Sequence, residues 1–229
     1  MRPPCSGSLR QVSPASEAFL SESQQHFFTA DPEVASARQT INMVLADLSV
    51  KLDTDSGVFS SDRLDRGTRI LLEHAPKPPV SGQILDLGTG YGPIAIATAM
   101  RSRQAHVWAV DINNRALGLT RENAARAGVT NITAARPEEV PEDIQFAAIY
   151  SNPPIHVGKA ALHELLLMWL PRLAPNGAAY MVVQKNLGSD SLAKWLNTQG
   201  YPTERLASEV GYRILRTTPP SQESSTVQA

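Results

Sequence analysis

Three short segments of the sequence carry side chains whose types and spacing could do chemistry together. The first is Asp86-Leu87-Gly88-Thr89-Gly90-Tyr91-Gly92, which closes the apolar run Ile84–Leu87 and leads into Pro93. Glycine has no Cβ, so Gly88, Gly90 and Gly92 let the backbone turn tightly and approach a ligand closely. A dinucleotide fingerprint needs Gly-x-Gly-x-x-Gly; here the third glycine comes one residue early. The carboxylate of Asp86 repels phosphate and suits an ammonium group. The second segment is Val110-Asp111-Ile112-Asn113. Asp111 lies about 20 residues past the glycines, where an acidic side chain can accept hydrogen bonds from a vicinal ribose diol. The third is Ser151-Asn152-Pro153-Pro154-Ile155-His156. Two consecutive prolines stiffen this loop and remove two N–H donors. What remains is rich in acceptors, the Asn152 side-chain oxygen and nearby carbonyls, which is what holding a planar amino group by its hydrogens requires.

These segments need rigid elements behind them. From Gln83 onward strand and helix patterns alternate. Strands are expected at Ile84–Leu87, His106–Val110, 132–134, Phe146–Tyr150 and Ala178–Val183, with shorter pieces around Arg205 and Ile214. Helices are expected from Ile94 to Met100, from Arg115 to a stop at Gly128, from Ala160 to Leu170, and around Leu192–Leu196. Such alternation means a largely parallel sheet covered on both faces, which binds ligands beyond the C-terminal ends of its strands. All three chemical segments follow strands. Leu162, Leu165, Leu166 and Trp169 form one helical stripe and read as core. Upstream, Ile41 and Met43, then Leu48, Val50 and Leu52, alternate as strands do, around a turn at Ala46-Asp47. Ser61 or Asp62 is placed to cap a helix running through Leu64, Ile70, Leu71 and Leu72.

The expected organisation is a flexible tail over 1–24, a β/α extension over 25–80, an α/β domain over 81–216 and a second tail over 217–229. With a single cysteine among 229 residues, an intrachain disulfide is excluded and a reducing compartment fits. No apolar run reaches the ~18 residues of a membrane span. The first residues, Met1-Arg2-Pro3-Pro4, lack the apolar stretch of a signal peptide. A cytoplasmic location is expected. A net charge of −1 disfavours tight, non-specific nucleic-acid binding, though not a local basic patch. No spacing of His, Cys or Asp suggests a metal site.

With these residues in this order, the sequence resembles the class I S-adenosylmethionine (SAM) dependent methyltransferases. The glycine turn is similar to their first motif, and Asn152-Pro153-Pro154 to the motif of those that methylate amino groups. The longer run Ser151 to Lys159, the stretch Gly57-Val58-Phe59-Ser60 with Leu64-Asp65 and Gly67-Thr68, and Asp111-Ile112-Asn113 with Arg115-Ala116-Leu117 resemble the "small" methyltransferase domain of bacterial ribosomal RNA guanine-N2 methyltransferases. That type is the small-subunit methyltransferase C, and the resemblance covers about residues 25 to 216. It implies a doubly wound, mostly parallel seven-stranded sheet, SAM as methyl donor, and a guanine amine in ribosomal RNA as acceptor. The amino-acid end of SAM falls near Asp86, Gly88 and Gly90, with Thr89 and Gly92 in the same turn. The ribose falls on Asp111, beside Ile112, and the acceptor base on Asn152, Pro153, Pro154 and Ile155.

Three departures from the family accompany this. Many members carry a second, degenerate methyltransferase-like domain ahead of the catalytic one, where this chain has a short segment. Ile155 replaces the aromatic residue often found after Asn-Pro-Pro, leaving Phe59 or His156 as candidates to stack on a base. No evident polar residue faces the adenine, where Arg136-Pro137-Glu138-Glu139 stands. Asp65 reads equally as an orienting group or a solvated carboxylate, and His156, Lys159 and Lys185 read as solvated. A glutamine amide in a protein, an adenine amine, and a non-catalytic SAM- or RNA-binding role stay open. A nicotinamide-dependent oxidoreductase is disfavoured by the misplaced glycine.

Overall fold

The computed structural model describes residues 30–32, 34–154 and 157–220. The expected tail over 1–24 lies outside the described residues, as do Ile155, His156 and 221–229. Among the described residues, nine strands and five α-helices follow in chain order. Strands β1 (Gln39–Val44) and β2 (Ser49–Thr54) pair antiparallel, with Met43 opposite Val50 and Ile41 opposite Leu52. Ile41, Met43 and Leu52 are buried while Asn42, Val44 and Lys51 face out, as the alternating pattern requires.

Helix α1 (Arg66–His74) begins later than the sequence reading expects. Its cap is Asp65, not Ser61 or Asp62: the Asp65 carboxylate accepts the Thr68 N–H at 2.8 Å. The preceding residues form a loop instead, closed by the Ser60 hydroxyl donating to the Arg63 carbonyl at 2.6 Å, and Leu64 packs on the core ahead of the helix.

The remaining elements alternate as expected: β3 (Ser81–Leu87), α2 (Pro93–Arg101), β4 (Gln104–Val110), α3 (Asn114–Ala127), β5 (Ile132–Ala135), β6 (Phe146–Ser151), α4 (Lys159–Trp169), β7 (Leu173–Gln184), α5 (Ser189–Thr198), β8 (Thr203–Glu209) and β9 (Tyr212–Thr217). Helix α2 starts on Pro93, whose missing N–H is no loss in a first turn. Helix α3 stops at Gly128, whose φ of 67° lies in the left-handed region that glycine adopts at little cost.

The seven-stranded sheet has the order β5-β4-β3-β6-β7-β9-β8. Its first five strands run parallel, and β9 pairs antiparallel with both β7 and β8. Neighbouring strand residues feed two separate cores. Ile84, Tyr150, Val182 and Ile214 join Ile70, Ile96 and Leu117 of α1–α3 and Met43 of the hairpin. Leu85, Ile149, Met181, Val183 and Leu215 join Leu166 and Trp169 of α4 and Leu196 of α5. Burial on both faces explains why β3 ends in four consecutive buried residues and shows no alternation. No helix among the described residues is long and apolar enough to cross a membrane.

Candidate functional site

A cavity of about 390 Å³ opens beyond the C-terminal ends of the parallel strands. That is the size and place expected of a ligand pocket in such a sheet. Its walls follow the order of the strands. Val110, Asp111, Ile112 and Asn113 come from the end of β4, Leu87, Gly88 and Gly90 from the end of β3, and Asn152, Pro153 and Pro154 from the end of β6. Gln184 closes β7, and Tyr212, opposite it, opens the antiparallel β9.

The β3–β4 half is built around Asp111. The turn after β3 is pinned to β4, because the N–H groups of Gly88 and Thr89 both donate to the Val110 carbonyl at 2.9 Å. The Gly90 N–H then donates to Asp111 Oδ2 at 2.9 Å and the Asn113 N–H to Oδ1 at 3.0 Å. Each carboxylate oxygen keeps a second lone pair for a donor in the cavity. The cap of α3 is Asn113, which accepts the Ala116 N–H at 3.1 Å, so capping does not consume Asp111. Burial pushes the Asp111 carboxyl up against the pull of these N–H groups. A hydroxyl-bearing ligand supplies what it lacks. Gly88 and Gly90 have φ of 77° and 57°, and a Cβ on either would meet nothing within 4 Å. Backbone conformation, not crowding by the chain itself, demands glycine there.

Asp86, Thr89 and Gly92 are not among the lining residues. Asp86 is buried behind the turn, where its Oδ2 accepts the Thr89 hydroxyl at 2.6 Å and the Ala95 N–H of α2 at 2.9 Å. Its Oδ1 has no partner among the described residues. Burial pushes its carboxyl up to about 7, with Asp111 nearby adding to the effect and the two hydrogen bonds opposing it. Asp86 thus locks the glycine turn onto the start of α2. Gly92, with φ of 91°, sits against Thr120, 3.0 Å from where a Cβ would stand.

The β6–β7–β9 half is built around Asn152. Ser151, the last residue of β6, donates its hydroxyl to the Leu87 carbonyl at 2.8 Å and fixes this loop to the end of β3. The Asn152 amide nitrogen donates to Asp65 Oδ1 at 2.6 Å and to Thr68 Oγ1 at 3.0 Å. With both amide hydrogens engaged, Asn152 Oδ1 accepts from no donor among the described residues, and it stands beside two residues that carry no N–H. Gln184 donates to the Tyr212 hydroxyl at 2.8 Å, and Leu165, Leu187, Val58 and Phe59 complete the apolar wall. Phe59 is 47% exposed, leaving much of its ring uncovered.

Several lining residues escape the sequence reading. Leu165 reads as core from its helical stripe, yet it is only partly buried and lines the cavity, unlike buried Leu162, Leu166 and Trp169. Gln184 could have been found as the last residue of a parallel strand. Tyr212 gave no signal, since it begins an antiparallel return strand. Of Arg136-Pro137-Glu138-Glu139, only Pro137 lines the cavity. Ile155 lies outside the described residues.

The charged lining residues among those described are Asp65 and Asp111, with no Lys or Arg. An anionic wall without cations disfavours a pyrophosphate and favours a ligand with a net positive charge. SAM, with a sulfonium, an ammonium, a carboxylate and a ribose diol, fits that donor and charge pattern.

Comparison with known proteins agrees. A family model described as "Methyltransferase small domain" matches residues 49–216. The chain is 32% identical to the uncharacterized protein YbxB of Bacillus subtilis, over 84% of this chain and 97% of that one. It is 31% identical to the ribosomal RNA small subunit methyltransferase C of Ectopseudomonas mendocina, over 91% of this chain and 63% of that one. It is 32% identical to the ribosomal RNA large subunit methyltransferase G of Pseudomonas syringae, over 71% and 46%. The chain therefore spans less than two thirds of these two named relatives. Among solved structures, the T. thermophilus 16S rRNA N2 methyltransferase in complex with AdoMet and guanosine shares the fold, with a TM-score of 0.65. Identity there is 22%, over 82% of this chain and 52% of that one.

Proposed function

The chain belongs to the methyltransferase small domain family, and we propose that it moves a methyl group from SAM to the exocyclic N2 amine of a guanine in ribosomal RNA. SAM is the co-substrate of this methyltransferase. The partner is ribosomal RNA or a ribosomal subunit, in keeping with the names of the relatives.

The observation that carries the reading is the fixed carboxamide of Asn152, held so that its oxygen is the free group. An exocyclic amine of a base is a poor nucleophile, because its lone pair is delocalised into the ring. Asn152 Oδ1 and the Pro153 carbonyl accept the two amine hydrogens and hold the nitrogen with its lone pair turned toward the donor half of the cavity. Asp111 holds the ribose diol, and the turn at Gly88 and Gly90 admits the amino-acid end of SAM. Ile112 and Pro137 flank the adenine, while Pro154 packs against the base. Bound in this way, SAM supplies a methyl group on a sulfonium sulfur, so the amine gains a methyl, S-adenosylhomocysteine is released and one amine proton passes to solvent. The protein contributes orientation, and misplacement by ~1 Å costs ~10²-fold in rate.

The test is methyl transfer from radiolabelled SAM to ribosomal RNA and to both subunits, isolated from cells lacking this protein. Label is expected in RNA, and Asn152→Ala should lower the rate by ~10²-fold while SAM binding persists. Label confined to protein, or none in RNA with SAM still bound, would remove the ribosomal RNA assignment. Mapping the label to an adenine would remove the guanine.

A further inference from the structure

We infer that Asp65, assisted by Thr68, is a positioning residue for methyl transfer, acting through Asn152 to select which end of that carboxamide meets the acceptor amine. This rests on the reading of Asn152 given above.

Capping α1 requires little of Asp65. One oxygen must accept the Thr68 N–H, and Ser, Thr or Asn would serve as well. The observed side chain does more. The same Oδ1 that accepts the Thr68 N–H at 2.8 Å also accepts Asn152 Nδ2 at 2.6 Å, across 87 residues of sequence. The other amide hydrogen of Asn152 goes to the Thr68 hydroxyl at 3.0 Å. Two side chains at the start of one helix thereby hold both hydrogens of a side chain from the end of β6.

A carboxylate has no hydrogen to give. If the Asn152 amide turned over, its oxygen would face an anionic oxygen at hydrogen-bond distance. The Thr68 hydroxyl alone could accommodate either orientation, so Asp65 makes the choice. A hydrogen bond to a charged acceptor is also stronger than a neutral one, and it draws the amide hydrogens toward Asp65, leaving Asn152 Oδ1 more negative. That oxygen is the acceptor proposed for the amine. The surroundings leave room for this geometry: at Gly67 a Cβ would stand 3.0 Å from Asp65 Oδ1 and 3.0 Å from Tyr212 Cε1. Asp65 itself lines the cavity, yet its Oδ1 is spent on two donors from the chain.

Two variants separate this role from helix capping. Asp65→Ser keeps a cap for the Thr68 N–H but is too short to hold Asn152. Asp65→Asn keeps an oxygen for both donors and loses the charge. In single-turnover assays on the RNA substrate, Asp65→Ser should lower the rate of transfer by ~10²-fold. Asp65→Asn should recover most of that loss, and because both variants remove the same charge from the cavity wall, any change in SAM affinity should be alike in the two. In an Asn152→Ala background Asp65→Ser should cost nothing further. An equal loss in both backgrounds would show a merely structural role and overturn the inference.

A second readout does not depend on turnover. In ¹⁵N-labelled protein, the Asn152 carboxamide hydrogens, assigned by their loss in Asn152→Ala, should exchange slowly with solvent. Asp65→Ser should abolish that protection, and Asp65→Asn should largely retain it. Carboxamide resonances that exchange as fast as those of exposed asparagines, or that ignore Asp65→Ser, would overturn the inference. If the unmodified protein methylates no RNA, the substrate reading fails, and this measurement alone decides the role of Asp65.

Discussion

Replacing Asp86 with Asn removes a carboxylate that the fold buries behind the glycine turn with no cation to neutralise it among the described residues. Its pKa rises from 3.8 to about 7, chiefly through burial. The folded chain therefore binds this proton more tightly than the unfolded chain. As pH rises above ~4 the unfolded chain releases the proton first, so stability falls with pH until about 7 and then levels off. Some three pH units at ~1.4 kcal/mol each make the whole loss about 4 kcal/mol. Between pH 5 and pH 8, where only the span up to about 7 contributes, it is ~3 kcal/mol. Asparagine is nearly isosteric, and its Oδ1 can still accept the Thr89 hydroxyl and the Ala95 N–H. The assay is urea unfolding of both proteins at pH 5 and pH 8. The change in stability across that interval should be ~3 kcal/mol less unfavourable for Asp86→Asn than for the unmodified chain, and the double difference cancels all other titrations. Equal pH dependence in the two proteins would refute a protonated, buried Asp86. A cationic ligand nearby would favour the charged form, so SAM binding near pH 7 should also release protons. Calorimetry in buffers of different ionisation enthalpy reads that release.

Other substitutions probe the two halves of the cavity separately. Asp111→Ala should weaken SAM binding by ~10- to 10³-fold, the loss of one or two charge-assisted hydrogen bonds to the ribose; equilibrium binding of labelled SAM measures it, and an unchanged Kd would free Asp111 of that role. Gly67→Ala puts a methyl group 3.0 Å from both Asp65 Oδ1 and Tyr212 Cε1, so it should reduce methyl transfer to RNA while leaving SAM affinity intact, as a parallel binding and rate measurement would show. Phe59→Ala removes an exposed ring at the cavity wall, where a stacked base is worth ~1–3 kcal/mol. Its affinity for the RNA substrate should fall accordingly, and unchanged affinity would leave the base without an aromatic partner there.

The alternation of patterns from Gln83 onward determined the doubly wound sheet. A strand buried on both faces, followed by an amphipathic helix, has few ways to hide its apolar residues. The strand-end placement of the glycine turn, Asp111 and Asn152 makes the binding edge readable in the sequence itself. Local chemistry also fixed the punctuation, with Pro93 opening α2 and Gly128 closing α3. The start of α1 was less legible, because Ser61, Asp62 and Asp65 can all cap a helix and only packing chooses among them.

What the tertiary structure alone decided are contacts between elements far apart in the chain. Asp65 reads from sequence as either an orienting group or a solvated carboxylate, and its bond to Asn152 spans 87 residues. Asp86 looks like a ligand contact, yet it turns inward to hold Thr89 and Ala95. Tyr212 reaches the cavity because β9 returns antiparallel beside β7, setting its first residue against the last residue of β7. Periodicity and turn chemistry act over a few residues and specify elements. Which side chains share a cavity depends on strand order and on the angle at which each loop leaves its strand, and these are fixed only when the two cores pack together.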